Sequence, residues 1–235
     1  MNTHDIESLK EKYKKDFKRA LDIYEIEYSH DELINYLKNG SVVEKQIAVL
    51  KLDKLDSKED VNIYINNLTG CDGKIREAVS FRLREFINAN PQFFEEYTDI
   101  FIDAIADING NICRNTINAL NSLKSSTKFC DIFCSKLIET TYKIAKVAQN
   151  FDIQDGKYKI NKDIFKLYWY LETIYEFTKF VNEEDLLKIL NITENIFDYT
   201  IREKTAKILS KLNNPKFIHL KEKLKNDENY YVRRI

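Results

Sequence analysis

The sequence predicts an all-α chain whose helices come in stacked pairs, an α-α superhelix or solenoid of about six pairs with an extra helix in front. Three observations carry this. Glycine (5) and proline (2) are scarce in 235 residues, as expected where long helices dominate, since both residues weaken a helix interior. The stretch 198–209, DYTIREKTAKIL, repeats the pattern of 72–83, DGKIREAVSFRL, with an Asp, a basic residue four places on and a Leu seven places beyond that. The same spacing then recurs along most of the chain.

Aligned on the basic residue, five copies appear, with Lys45, Arg76, Cys113, Arg202 and Arg233 in the zero slot. Four residues earlier stand Ser41, Asp72, Asn109, Asp198 and Asn229. All are residues whose side-chain oxygens accept from the free N–H groups of a first helical turn, and Ser41 with Glu44 forms a capping-box pattern. The plus-seven slot holds Leu52, Leu83, Leu120 and Leu209; the plus-ten slot holds Leu55, Phe86, Leu123 and Leu212. Smaller residues fill plus three and plus four: Ala48 and Val49, Val79 and Ser80, Thr116 and Ile117, Thr205 and Ala206. Offsets of three, four, seven and ten trace one face of an α-helix, so these slots are the predicted core.

A second helical pattern leads each copy: 30–39, 58–68, 91–107, 183–190 and 215–226. Pro91 and Pro215 each follow an Asn and open a leading helix, where the missing N–H costs nothing. Gly40, Gly70, Gly73 and Gly110 fall in the links between leading and capped helices. The zero slots step by 31 (45 to 76), 37 (76 to 113), 89 (113 to 202) and 31 (202 to 233). The long step predicts a degenerate copy over 126–180, with leading helix 127–150, second helix 162–180 carrying Leu167, Leu171 and Ile174 in its core slots, and a loop at 150–160 between them. Residues 1–28 read as an N-terminal capping helix, amphipathic over about 6–28, ahead of a repeat array over 29–235.

These residues resemble the D-x-x-V-R-x-x-A-x-x-x-L core of HEAT and HEAT-like repeats, an armadillo-like helical family. The resemblance covers about 29–235, more weakly over 126–194, with Cys113 in place of the repeat's Arg beside Arg114, and Lys45 in another Arg slot. It implies a non-enzymatic scaffold that binds a protein or peptide on its concave face. A minority of the family implies chemistry: AlkD-like DNA glycosylases that bind nucleic acid and excise bases, and phycobilin lyases. The last copy reaches one turn of its second helix at Ile235, so apolar surface is expected there unless more chain or a partner covers it.

Composition bounds the function. Lys+Arg is 37 and Asp+Glu 38; this near-zero balance disfavours a protein whose main work is gripping nucleic acid, for which a basic stripe is expected. No apolar run approaches the roughly 20 residues of a membrane span. The opening 1–20 is charged throughout, and a cytoplasmic protein with reduced thiols is expected. No phosphate-cradling Gly-rich loop or catalytic signature occurs. Catalytic residues, metal and cofactor are each expected to be none.

Three candidate sites remain. The off-slot positions of the capped helices present Arg82, Arg84, Arg114, Asn115, Asn118, Asn121, Lys204, Lys207 and Lys211, a polar, mildly basic face suited to hydrogen-bonding a partner, or simply solvated surface. Lys162 and Lys166 with Tyr168, Trp169 and Tyr170 combine cations with aromatics able to stack on bases; this nucleic-acid alternative needs Trp169 exposed at the centre of a basic concavity, whereas a core role for most of the cluster is the competing reading. Lys157 and Lys159 add to it; Asp152 and Asp155 dilute it. The zero-slot cations form either a phosphate ladder or internal pairs, with Asp72–Arg76 and Asp198–Arg202 at i,i+4 spacing or with backbone carbonyls. Cys130 and Cys134 share a helical face, but scattered histidines (His4, His30, His219) leave a structural zinc site short of ligands.

Overall fold

The computed structural model describes residues 7, 8, 10, 11, 14, 18, 21–150 and 161–234. It is all-α, with no strand among the described residues. The first helix, α1, is described at 21–25, and the scattered earlier positions are also helical; the rest of the expected N-terminal helix, the loop at 151–160 with Asp152, Asp155, Lys157 and Lys159, His4 and Ile235 lie outside the described residues. Two compact units divide the chain, Met1–Arg82 and Leu83–Ile235.

The first unit contains α2 (His30–Asn39), α3 (Val42–Lys51), α4 (Lys58–Asn66) and the start of α5 (Gly73–Ala89). Helix α2 packs on both α3 and α4. Three capping boxes open its helices: Ser29 with Glu32, the expected Ser41 with Glu44, and Ser57 with Asp60. Lys45 Nζ donates to Asn67 Oδ1 at 3.0 Å, while the Asn67 amide donates to Ile63 O at 2.8 Å and Leu37 O at 3.2 Å, tying the end of α4 to α2. The buried Tyr64 hydroxyl donates to Val79 O at 2.6 Å.

The second unit continues with α6 (Thr98–Ala104), α7 (Gly110–Leu120), α8 (Thr127–Ala148), α9 (Lys162–Phe177), α10 (Glu183–Thr193), α11 (Tyr199–Ser210), α12 (Ile218–Lys225) and α13 (Tyr230–Arg233). Helix α8 packs against α6, α9 and α10; α11 packs against α9, α10, α12 and α13. A run of rings, Phe101, Phe129, Phe133, Phe177 and Phe180, links successive helices at centroid separations of 5.1 to 6.2 Å. The two proline-led helices differ from expectation. Each begins as a separate 3-10 turn, Pro91–Phe93 and Pro215–Phe217, before the α-helix; the turns are anchored by the buried Phe94 and Phe217.

The slot pattern is borne out residue by residue. Leu52, Leu83, Leu120 and Leu209 are buried, as are Leu55, Phe86, Leu123 and Leu212, the small plus-three and plus-four residues, and Leu167, Leu171 and Ile174 of the degenerate copy. All five expected N-caps accept backbone N–H groups, among them Asp72 from Lys74 N at 2.8 Å and Asp198 from Thr200 N at 2.8 Å.

The zero-slot arginines behave in a way their spacing does not suggest. Each reaches back to the carbonyls six and five residues earlier: Arg76 to Gly70 O (2.8 Å) and Cys71 O (3.0 Å), Arg202 to Ile196 O (2.9 Å) and Phe197 O (2.6 Å), Arg233 to Asp227 O (3.1 Å) and Glu228 O (2.8 Å). Cys113 places its thiol 3.0 Å from Asp107 O in the same register. The guanidinium thus closes the link between a leading helix and its capped partner, satisfying carbonyls that helix ends leave free.

Arg202 goes further. Its Nε and Nη2 bind both Asp227 oxygens at 2.7 and 3.1 Å, and both side chains are more than nine-tenths buried. Burial pushes the Asp227 carboxyl up, but the Arg202 hydrogen bonds and the Asn229 N–H outweigh it and hold it below its ordinary value. The sign follows: this stabilisation is complete above the unfolded-chain value of about 4 and is lost as pH falls through the lower folded value. Arg202→Met is expected to cost about 3 kcal/mol or more at pH 7, because it strands a buried carboxylate. Urea titrations at pH 7 and pH 3 should show that penalty shrinking at the acid end, where Asp227 takes up a proton.

Candidate functional site

Helix α9 lines two neighbouring grooves. Along α9, Tyr168, Glu172 and Glu176 recur at i,i+4 and so stand above one another on one face. Asn161 caps the helix by accepting from Asp163 N at 2.8 Å and Ile164 N at 3.2 Å, which fixes where that face begins. A first groove of ≈ 260 Å³ is lined by Tyr168, Trp169, Glu172 and Glu176 of α9 and by Arg114, Ile117 and Asn118 of α7. A second, of ≈ 580 Å³, shares Glu176 and adds Tyr175, Thr178, Lys179 and Phe180 with Lys124 and Lys211.

The charges in these grooves are mixed and largely matched. Lys204 is buried and forms an ion pair with Glu172. Burial alone would lower its ammonium pKa, but the Glu172 contact and Tyr168, whose ring lies 4.5 Å from the nitrogen, raise it, so Lys204 stays charged. Lys124 pairs with Glu176 at 3.3 Å and lies 4.8 Å over the Phe177 ring. Lys211 Nζ donates to Tyr175 O at 2.9 Å and stands 3.3 Å from the centre of the Tyr175 ring. The Arg114 guanidinium is 5.9 Å from the Trp169 ring, within cation–π range.

Of the residues expected on a partner-binding face, Arg114, Asn118 and Lys211 line the grooves. Arg84 is exposed on α5, and Asn115 and Asn121 are half-buried. Arg82 and Lys204 are corrections. Arg82 is spent on the end of α3, donating to Val49 O, Leu50 O and Leu52 O at 3.2, 2.8 and 3.0 Å; Lys204 is only 5% exposed. Lys207 pairs with Glu203 at 2.9 Å.

The nucleic-acid set is rearranged too. Lys162 is exposed and Lys166 half-buried, while Tyr168 forms a groove wall. Trp169 is 8% exposed and Tyr170 4%, so the indole is not presented for stacking. Gly110 explains the depth of the indole: a Cβ there would lie 3.2 Å from Trp169 Cζ2, a closeness only glycine permits without a shift. The Trp169 Nε1 donor and the Asn121 Oδ1 acceptor are buried without hydrogen-bond partners.

Glu172, Glu176, Lys124, Tyr175, Lys179 and Phe180 were not anticipated. The i,i+4 ladder from Tyr168 was the available signal, but their importance comes from pairing with α11 and the 121–126 link, which no spacing reveals. Among the described residues no group of three or more His, Cys, Asp or Glu is placed to hold a metal ion, and no helix is long and apolar enough to cross a membrane. No protein-family model matches the chain, and no curated protein matches it.

Two expectations follow. Burial pushes the Cys113 and Cys134 thiols up to about 12 and raises Cys130, whereas Cys71 is exposed. A chromogenic disulfide reagent at pH 8 should therefore titrate one thiol rapidly in the native protein and the other three only after denaturation. Glu172→Ala strands the Lys204 ammonium and is expected to cost about 1–3 kcal/mol. Adding Lys204→Met should recover most of that, measured as the coupling in a double-mutant cycle.

Proposed function

We propose that the chain is a HEAT-like helical-repeat scaffold, non-enzymatic, that binds a protein or peptide on the face lined by α7, α9 and α11. The supporting observation is the mixed charge of that face: Glu172 and Glu176 stand among Arg114, Lys124 and Lys211. A surface that grips phosphate backbones needs a continuous positive field. Two carboxylates lining the groove work against one, whereas matched charges, half-buried aromatics and the Asn118 amide suit a polypeptide. The regular helix pairing supports the repeat reading: buried leucines at plus seven, side-chain caps at minus four, and guanidiniums that close the links at Arg76, Arg202 and Arg233. Helix pairs of this kind bury their apolar faces by stacking on neighbours.

The alternative, an AlkD-like nucleic-acid-binding or base-excision protein, is weakened by the burial of Trp169. Selection from a displayed random-peptide library separates the two. The expected result is enriched peptides whose affinity falls about tenfold, equivalent to 1.4 kcal/mol, on Asn118→Arg or Arg114→Glu, and no affinity for a short DNA duplex at low salt. Duplex binding that weakens steeply as salt is added, without peptide enrichment, would overturn the scaffold reading.

A further inference from the structure

The second groove differs from the first in its balance of charge. Lys124, Lys179 and Lys211 face a single carboxylate, Glu176, and Lys124 is already its partner. Lys179 is exposed on the 3-10 turn that ends α9. Lys211 uses one donor on Tyr175 O, and an ammonium has three. The cations therefore exceed what the groove itself neutralises. Beside them Phe180 is 40% exposed, an aromatic face open to water, with Tyr175 forming the opposite apolar surface under Lys211. The volume of ≈ 580 Å³ lies within the usual range of ligand clefts.

Resting on the scaffold reading above, we infer that this groove receives an acidic segment of a protein partner, one carrying Asp or Glu beside an aromatic or aliphatic side chain. The carboxylates meet Lys179 and the outward donors of Lys211, forming charge-assisted hydrogen bonds. The apolar side chain covers Phe180, removing it from water. Glu176 sets the direction: it repels acid at the boundary with the first groove, so the acidic end of the segment lies toward Lys179 and its remainder runs toward Asn118 and Arg114.

The test uses the full chain and three fluorescein-labelled peptides alike except at their charged positions: Glu alternating with Phe, the same with Gln, and the same with Lys, each compared by anisotropy with a short oligothymidine. The acidic peptide is expected to bind at least about tenfold tighter than the Gln and Lys versions. Lys179→Glu with Lys211→Glu, both at exposed positions, should abolish that preference while leaving the far-ultraviolet circular dichroism unchanged. The single tryptophan, Trp169, offers a second readout at the neighbouring groove. Equal binding of the acidic and Gln peptides, or tighter binding of the Lys peptide, overturns the acidic assignment and leaves the scaffold reading standing. Binding of oligothymidine alone overturns both. Absence of binding by all four probes overturns the acidic assignment, and the library selection above then decides the scaffold reading separately.

Discussion

The structure depends on a guanidinium that reaches back to two carbonyls. A helical hairpin must turn within a few residues, and the turn strands backbone carbonyls that no helix can satisfy. At Arg76, Arg202 and Arg233 the same side chain, in the same register, accepts this task. One guanidinium nitrogen, Nη1, carries two N–H groups, and in each case it binds both carbonyls at once, tying the link to the capped helix. The aspartate or asparagine four residues earlier is then free to cap the next helix. Cap and lock divide the polar groups of the link between them, which is why both recur together at one spacing.

Once the hairpins are closed, their packing decides which side chains remain at the surface. Leucines at the plus-seven and plus-ten slots take the seam, and the positions between them point away from it. On α7 and α11 those positions supply Arg114, Asn118 and Lys211. The degenerate copy keeps the buried seam through Leu167, Leu171 and Ile174 but lacks the Asp–Arg signature. Freed from that signature, α9 carries aromatic and acidic residues instead, and its face becomes the wall common to both grooves.

The features legible in the sequence were local ones. N-caps and core slots are set by contacts within one helix or one turn, so spacing alone encodes them. What spacing cannot encode is the choice of partner across helices. Lys204 occupies an off-slot position like Lys207, and periodicity treats them alike; only Glu172, thirty-two residues earlier, distinguishes a buried pair from a surface cation. Trp169 is a parallel case. It packs closely against Gly110, where a Cβ would sit 3.2 Å from the ring, and a glycine in a link reads as a turn signal rather than as a neighbour of an indole. The arginine locks were legible only as internal pairs, with an acid or with backbone carbonyls; which carbonyls they take carries no sequence signal.

The pairs along α9 also differ in how readily they can be exchanged. Lys204 and Glu172 meet where the lysine is almost wholly excluded from water, so separating them would leave a desolvated charge. Lys124 and Glu176 are a quarter to a third exposed at 3.3 Å, a geometry in which water can replace either partner cheaply. The buried pair ties α9 to α11, and the open pair stands at the mouth of the second groove. The overall near-neutrality of the chain therefore conceals a graded surface, with fixed charges beneath and exchangeable ones at the rim.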